Sequence, residues 1–215
     1  MHTIGYFWKD HFHKQGHQLR STMDLKPLFK DLERIFSGAK QIESHVCIAL
    51  QKANTRVDLP NNGASLPESL LEVMLRSDAD DICKLIAKIP FNWVPPQTSS
   101  DPLYSQHSVS KVHVELLGPS GLVKSQEVRL GLYGMMPNSE YGLRTHLAEE
   151  IYIMLAGSVD WKRDNAPYSR HFAGDRSYHP SMMPHASRTK SEAFMSVYAW
   201  HGDISTESYS YAGID

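Results

Sequence analysis

The chain has 215 residues, with 22 Lys and Arg against 24 Asp and Glu and a net charge of −2. That length can bury a sizeable core, and the charge balance gives no footing for a nucleic-acid or anionic-membrane partner. No apolar run approaches the roughly 18 residues of a spanning helix, and the N-terminus, with Lys9, Asp10 and Lys14 among aromatics, lacks the apolar core of a secretory signal. The expectation is a soluble, cytoplasmic protein acting on a small molecule, with Cys47 and Cys83 as reduced core thiols.

The irregularly spaced His2, His11, His13 and His17 read as a peripheral arm and not as a metal site. Four short helices follow. Leu25, Leu28, Phe29, Leu32, Ile35 and Phe36 keep helical spacing between Asp24, placed to cap, and Gly38, placed to stop. A second stripe runs through Ile42, Val46, Ala49, Leu50 and Ala53. The third begins after Ser65 with Pro67 in its first turn and runs through Leu70, Leu71 and Met74. The fourth carries Ile82, Leu85, Ile86 and Ile89 behind the acidic start Asp78, Asp80 and Asp81. Pro90 to Pro102, with Pro95, Pro96, Ser99 and Ser100, is a connection that no regular helix can span.

From about Ser108 the hydrophobic period changes to two. Val112, Val114 and Leu116 form one strand and Val128, Leu130 and Leu132 another, with a turn at 118–121. Further short strands are expected near 151–155, 158–162, 168–172, 185–190 and 194–200, a spacing that suits a β-barrel or jelly roll. The expected division is a helical extension and linker over 1–104 and a barrel over 105–215.

Two segments carry the chemistry. In the first, His146, Glu150 and Gly157 match the second His, the Glu and the closing Gly of Gly-x5-His-x-His-x3-Glu-x6-Gly, with Arg144 at the first His. In the second, Gly174, Pro180 and His185 match Gly-x5-Pro-x-Gly-x2-His-x3-Asn, with Met182 and Thr189 at its inner Gly and its Asn. Together they resemble the two metal-binding motifs of a cupin. The fold expected is therefore mainly β, a cupin (jelly-roll) β-barrel with an N-terminal α-helical extension. If register holds through the corner at 147–149, Arg144, His146, Glu150 and Tyr152 share a strand face opposite Ile151, Ile153 and Leu155. A polar inward row is costly in a small barrel unless something binds it, and a divalent cation answers that need. Two imidazoles and a carboxylate suit zinc, iron, manganese, cobalt or nickel and leave positions open for substrate. Tyr152 is placed to be a fourth ligand, whereas the Arg144 guanidinium stays protonated and cannot ligate.

Within the cupins, Tyr141, His146, Glu150, Tyr152 and Gly157, followed by Trp161, by Pro184-His185-Ala186 and by Tyr198-x-Trp200-x-Gly202-Asp203, resemble the bacterial dimethylsulfoniopropionate lyases over roughly residues 130–205. The resemblance implies His146, Glu150, His185 and Tyr152 as metal ligands, Tyr141 as a second active-site tyrosine, and a homodimer as an open alternative. It implies β-elimination to dimethyl sulfide and acrylate, with Tyr152 as first choice of base and Tyr141 as second. The cationic sulfonium would favour aromatic faces, for which Trp161, Tyr178, Tyr198, Trp200 and Trp93 are candidates against their ordinary use in core packing. Two rival readings stay open: another metal cupin acting on a small carboxylate or sugar as an isomerase or dioxygenase, and a ligand-binding cupin without turnover in which Arg144 pairs with a substrate carboxylate.

Overall fold

A computed structural model describes residues 20–61 and 63–213. The four N-terminal histidines lie outside these residues. Strand β1 (Arg20–Asp24) pairs antiparallel with β2 (Arg56–Pro60), a small sheet that the sequence pattern did not announce. Between them run helices α1 (Lys26–Ile35) and α2 (Gln41–Lys52), each burying the expected stripe, Leu28, Phe29, Leu32 and Ile35 in the first and Ile42, Val46, Ala49 and Leu50 in the second. The N-cap of α1 is Leu25, yet the Asp24 carboxylate still does the capping, accepting from the Lys26 amide at 2.9 Å. Glu43 of α2 turns back to accept from the amides of Gly38 and Lys40, at 2.9 and 3.4 Å, and is itself buried.

Helix α3 (Glu68–Met74) has Pro67 at its N-cap and not in its first turn. Helix α4 (Ile82–Ile86) stops short of the expected Ile89. The connection after it is irregular up to a further short helix, α5 (Pro102–Ser108), where Asp101 accepts from the amides of Leu103 and Tyr104 at 2.7 and 3.2 Å. The two cysteines are free thiols, Cys83 buried and Cys47 half-buried.

Ten strands follow: β3 (Lys111–Gly118), β4 (Val123–Lys124), β5 (Val128–Met135), β6 (Glu140–Thr145), β7 (Glu149–Arg163), β8 (Ser169–Phe172), β9 (Arg176–His179), β10 (His185–Arg188), β11 (Phe194–His201) and β12 (Ser210–Gly213). They run in the order β12-β6-β10-β7-β11-β5-β3-β4, with β8 and β9 also on β7, so the jelly roll is open and not a closed barrel. The fold is mainly β with a helical extension in front of a cupin-type jelly roll, as the sequence predicts. Its pivot is β7, which joins the two short strands expected at 151–155 and 158–162 into one strand of 15 residues. The first part of β7 pairs with β9 and β11, and the second with β8 and β10.

The change of partner falls at Gly157, where φ is +70° and an added Cβ would lie 2.0 Å from the Ala193 carbonyl oxygen. A side chain here meets both left-handed strain and fixed backbone.

Alternation along β7 assigns its faces. Ile151, Ile153 and Leu155 point outward into a core shared with the helices, while Tyr152, Met154 and Trp161 point inward into a second cluster rich in aromatics. No helix among the described residues is long and apolar enough to cross a membrane.

Gly157→Ala should cost at least ~3 kcal/mol, a fall of roughly 6 °C or more in Tm for a chain of this size. Gly174→Ala should cost only ~1 kcal/mol, because Gly174 has φ +89° but open space around it. Thermal denaturation of the two variants side by side checks the difference, and equal losses would contradict it.

Candidate metal centre

The jelly roll brings the polar residues together by cross-strand pairing. Glu150 on β7 lies between His179 on β9 and Trp200 on β11, and in the next inward row Tyr152 lies between Ser177 and Tyr198. His185 on β10 is opposite Arg144 on β6, and His146 follows directly on the end of β6. Arg144, His146, Glu150 and Tyr152 therefore come to one interior, although not on one strand: β10 separates β6 from β7.

Donor atoms of His146, Glu150 and His185 lie within 4.8 Å of one another, and all three residues are buried. The His185 Nδ1 is 2.8 Å from the Met183 carbonyl and the His146 Nδ1 is 3.0 Å from the Ala148 carbonyl. A carbonyl only accepts, so both Nδ1 atoms carry protons, and in that neutral tautomer Nε2 is the nitrogen with the free lone pair. These two Nε2 atoms face Glu150 Oε2 at 3.6 Å from His146 and 3.0 Å from His185, and neither has a hydrogen-bond partner. Burial, then the charge of Arg144, holds the His185 pKa well below the usual imidazole range, so it stays neutral. Burial would raise the Glu150 carboxyl, but the imidazoles packed around it, with His179 Nδ1 donating at 3.0 Å, hold it well below the usual carboxylate range. Two imidazole nitrogens and a carboxylate oxygen, each able to offer a lone pair, thus meet in a buried interior. That arrangement repels itself unless a cation sits in it, and the donor set fits one divalent ion.

The sequence pattern did not single out His179, which holds Glu150 from behind. Its Nδ1 donates to Glu150 Oε2 at 3.0 Å and its Nε2 takes the Ser177 hydroxyl proton at 2.8 Å, while Trp200 Nε1 donates to Glu150 Oε1 at 2.6 Å. Burial lowers the His179 pKa to about 4, keeping the ring neutral and this tautomer in place. Its signal was the alternation Ser177-x-His179 inside the second motif, between the motif positions Gly174 and Pro180. Tyr209, on an irregular segment without period, was also missed.

A cavity of about 420 Å³ reaches this centre, lined by Tyr133, Tyr141, Arg144, Glu150, Tyr152, Tyr198, Trp200 and Tyr209, and also by Leu59, Pro60 and residues 94–98. Tyr152 packs on Trp161, ring centroids 4.6 Å apart. Burial and the charge of Glu150 push the Tyr152 phenol well above its usual range, while Arg144 pulls the other way. Tyr141 shares a 2.6 Å hydroxyl contact with Tyr209. Of the five aromatic candidates for the substrate, Tyr198 and Trp200 line the cavity. The other three do not. Tyr178 alternates outward from Ser177 and His179 and donates to Glu149 at 2.6 Å beneath Lys40. Trp161 is fully buried behind Tyr152 and His179, and Trp93 packs on Phe91 in the outer core.

Fold and site together define a cupin with a buried His–Glu–His centre opening on an aromatic cavity. Residues 64–196 match the family model described as dimethylsulfoniopropionate lyase, and the chain belongs to that family. A curated relative, dimethylsulfoniopropionate lyase DddQ of Ruegeria pomeroyi, is 36% identical over 91 residues, which span 42% of this chain and 45% of that protein, less than half its length. The crystal structure of DddQ from Ruegeria pomeroyi superposes with a TM-score of 0.60 at 21% identity, covering 86% of this chain and 96% of that one. A structure described under the dimethylsulfoniopropionate lyases RdDddP and RnDddQII gives 0.59 at 19% identity, covering 87% and 97%. At these identities the structural matches establish the shared fold.

The support of Glu150 by His179 is open to direct measurement. Replacing His179 by Ala should weaken zinc binding by about ten- to a hundredfold, the scale for groups that orient a ligand from behind, and Ser177→Ala should do so less. Chelator competition reads the affinity; an unchanged value in His179→Ala would contradict the orienting role.

Proposed function

We propose that the protein is a metal-dependent carbon–sulfur lyase that cleaves dimethylsulfoniopropionate to dimethyl sulfide and acrylate. The observation that carries this reading is the pair of unpartnered Nε2 atoms facing an ionised, clamped carboxylate at the floor of the cavity. His146, Glu150 and His185 would hold one divalent transition ion, zinc, iron, manganese, cobalt or nickel, with Tyr152 beside them as a further oxygen donor. Bound there, the ion would supply Lewis-acid stabilisation of the charge that builds on the substrate carboxylate.

The residues of the chain divide the remaining work. Tyr152, as phenolate, takes the proton from the carbon next to the carboxylate. The C–H electron pair becomes the new double bond, and the β-carbon–sulfur pair leaves with dimethyl sulfide. Two features favour Tyr152 over Tyr141 as base: it lines the cavity one inward position from Glu150, whereas the Tyr141 hydroxyl is already engaged by Tyr209. Burial opposes the phenolate, and the positive charge of Arg144 pulls the phenol pKa back down; an ion held by His146, Glu150 and His185 would add to that pull. Tyr198 and Trp200 are the aromatic groups of the cavity for the sulfonium, Trp200 with one face stacked on the His146 ring at 4.1 Å, and Arg144 lines the same cavity as a cationic group.

His185→Ala and His146→Ala should each lower metal content and abolish dimethyl sulfide release, since each removes one of three conventional donors. Full metal occupancy with full turnover in both would contradict the centre. Tyr152→Phe should fold and bind metal but slow headspace dimethyl sulfide release by at least about a hundredfold, the lower scale of a general base. An active Tyr152→Phe alongside a dead Tyr141→Phe would transfer the base to Tyr141.

A further inference from the structure

Arg144 stands where the cupin motif has its first histidine, and its surroundings are unusual for a buried cation. The residue is 2% exposed. Its guanidinium carbon lies 3.8 Å over the Tyr141 ring and 5.5 Å from the Trp161 ring. Nη1 reaches three carbonyl oxygens, of Tyr141, Gly142 and His185, at 3.3, 3.4 and 3.5 Å; the Tyr152 phenol is close enough to feel the guanidinium by hydrogen bonding and charge, but Nη2 makes no hydrogen bond of good geometry. Among the described residues no carboxylate lies within ion-pair distance of Arg144. Glu150, whose charge does reach it, is already engaged through both oxygens by Trp200 and His179. A second buried cation, Lys111, also lies against the Tyr141 ring, at 5.4 Å, and gives Arg144 no relief.

A desolvated guanidinium without a counter-charge is costly, and the cost persists only where something repays it. The carbonyls fix one edge of the fork and the Tyr141 ring fixes its plane. The other edge, Nη2, belongs to a residue that lines the cavity. A planar fork with fixed orientation and an open donor matches a carboxylate. Arg144 cannot ligate a cation, so its replacement of histidine exchanges a metal ligand for an anion-binding group.

We infer that Arg144 is the carboxylate-binding residue of the cavity and makes the protein selective for small anionic carboxylates over their neutral counterparts, independently of turnover. The inference rests on the reading of this cavity as the substrate site and adds the group that recognises one end of the substrate. The acid end would be gripped at Arg144, leaving the cationic end to the ring faces of Tyr198 and Trp200.

The test is calorimetric binding of propionate, which has no leaving group, and of the isosteric neutral propionamide to the full-length protein as purified, with metal content measured alongside. Arg144→Gln should retain the metal and weaken propionate by about thirtyfold or more, the lower end for breaking a buried charge pair, while leaving propionamide unchanged. Arg144→Lys, which keeps the charge and loses the fork, should recover part of the propionate affinity. Propionate binding within about threefold of the parent in Arg144→Gln would overturn the assignment, as would equal losses for acid and amide. The readout is separate from catalysis. A protein that releases no dimethyl sulfide but shows this preference loses the lyase reading and keeps the anion site; an active lyase indifferent to Arg144→Gln does the reverse.

Discussion

The centre depends on how Glu150 is held. One buried carboxylate faces two bare imidazole nitrogens, and it cannot turn away because Trp200 grips one of its oxygens and His179 the other. In water such a group would rotate and hydrate. Here the sheet forbids both, because Trp200, Glu150 and His179 are cross-strand neighbours whose positions are set by the register of β11, β7 and β9. Backbone carbonyls do the corresponding work for the histidines, holding each Nδ1 so that Nε2 faces Glu150. Preorganisation of this kind moves the cost of assembling like-charged electron pairs from binding to folding.

Folding can bear that cost because the opposite face of the same strands is buried so thoroughly. Ile151, Ile153 and Leu155 join Val197 and Ala199 beneath the helices, in a core that also takes Leu28, Phe29, Leu32, Ile42 and Val46. The helical segment therefore does more than decorate the jelly roll: it dries the back of β7 and β11. Leu59 and Pro60 at the end of β2, with Pro95, Pro96, Gln97 and Thr98 of the irregular connection, line the cavity as well. Proline suits that place, since it holds a fixed shape without exposing an amide that would need a partner.

Much of this was legible in the sequence because it depends on local period and fixed spacing. Helical stripes marked α1 and α2, alternation marked β3 and β5, and the spacing from His146 to Glu150 and on to His185 marked the centre. What escaped depends on pairing between distant segments. Strands β1 and β2 are short and polar and exist because each completes the other. The long β7 was split in the reading because Gly157 interrupts the alternation at the point where the strand changes partners. Tyr178 depends on pairing in the same way: one position along β9 puts its ring on the outer face against Glu149, with His179 inside. Arg144 shows the limit from the other direction. Its substitution for histidine was evident in the chain, whereas the unpartnered Nη2 that gives the substitution meaning emerges only when β6, β10 and the Tyr141 ring are assembled around it.

The central claim is that His146, Glu150 and His185 form one metal centre, and anomalous diffraction from crystals of the purified protein tests it most directly. The account predicts a single transition-metal peak within about 2.0–2.2 Å of both histidine Nε2 atoms and of a Glu150 oxygen. Crystals grown with saturating divalent metal that show no peak at this position, or that place it away from these three residues, would contradict it.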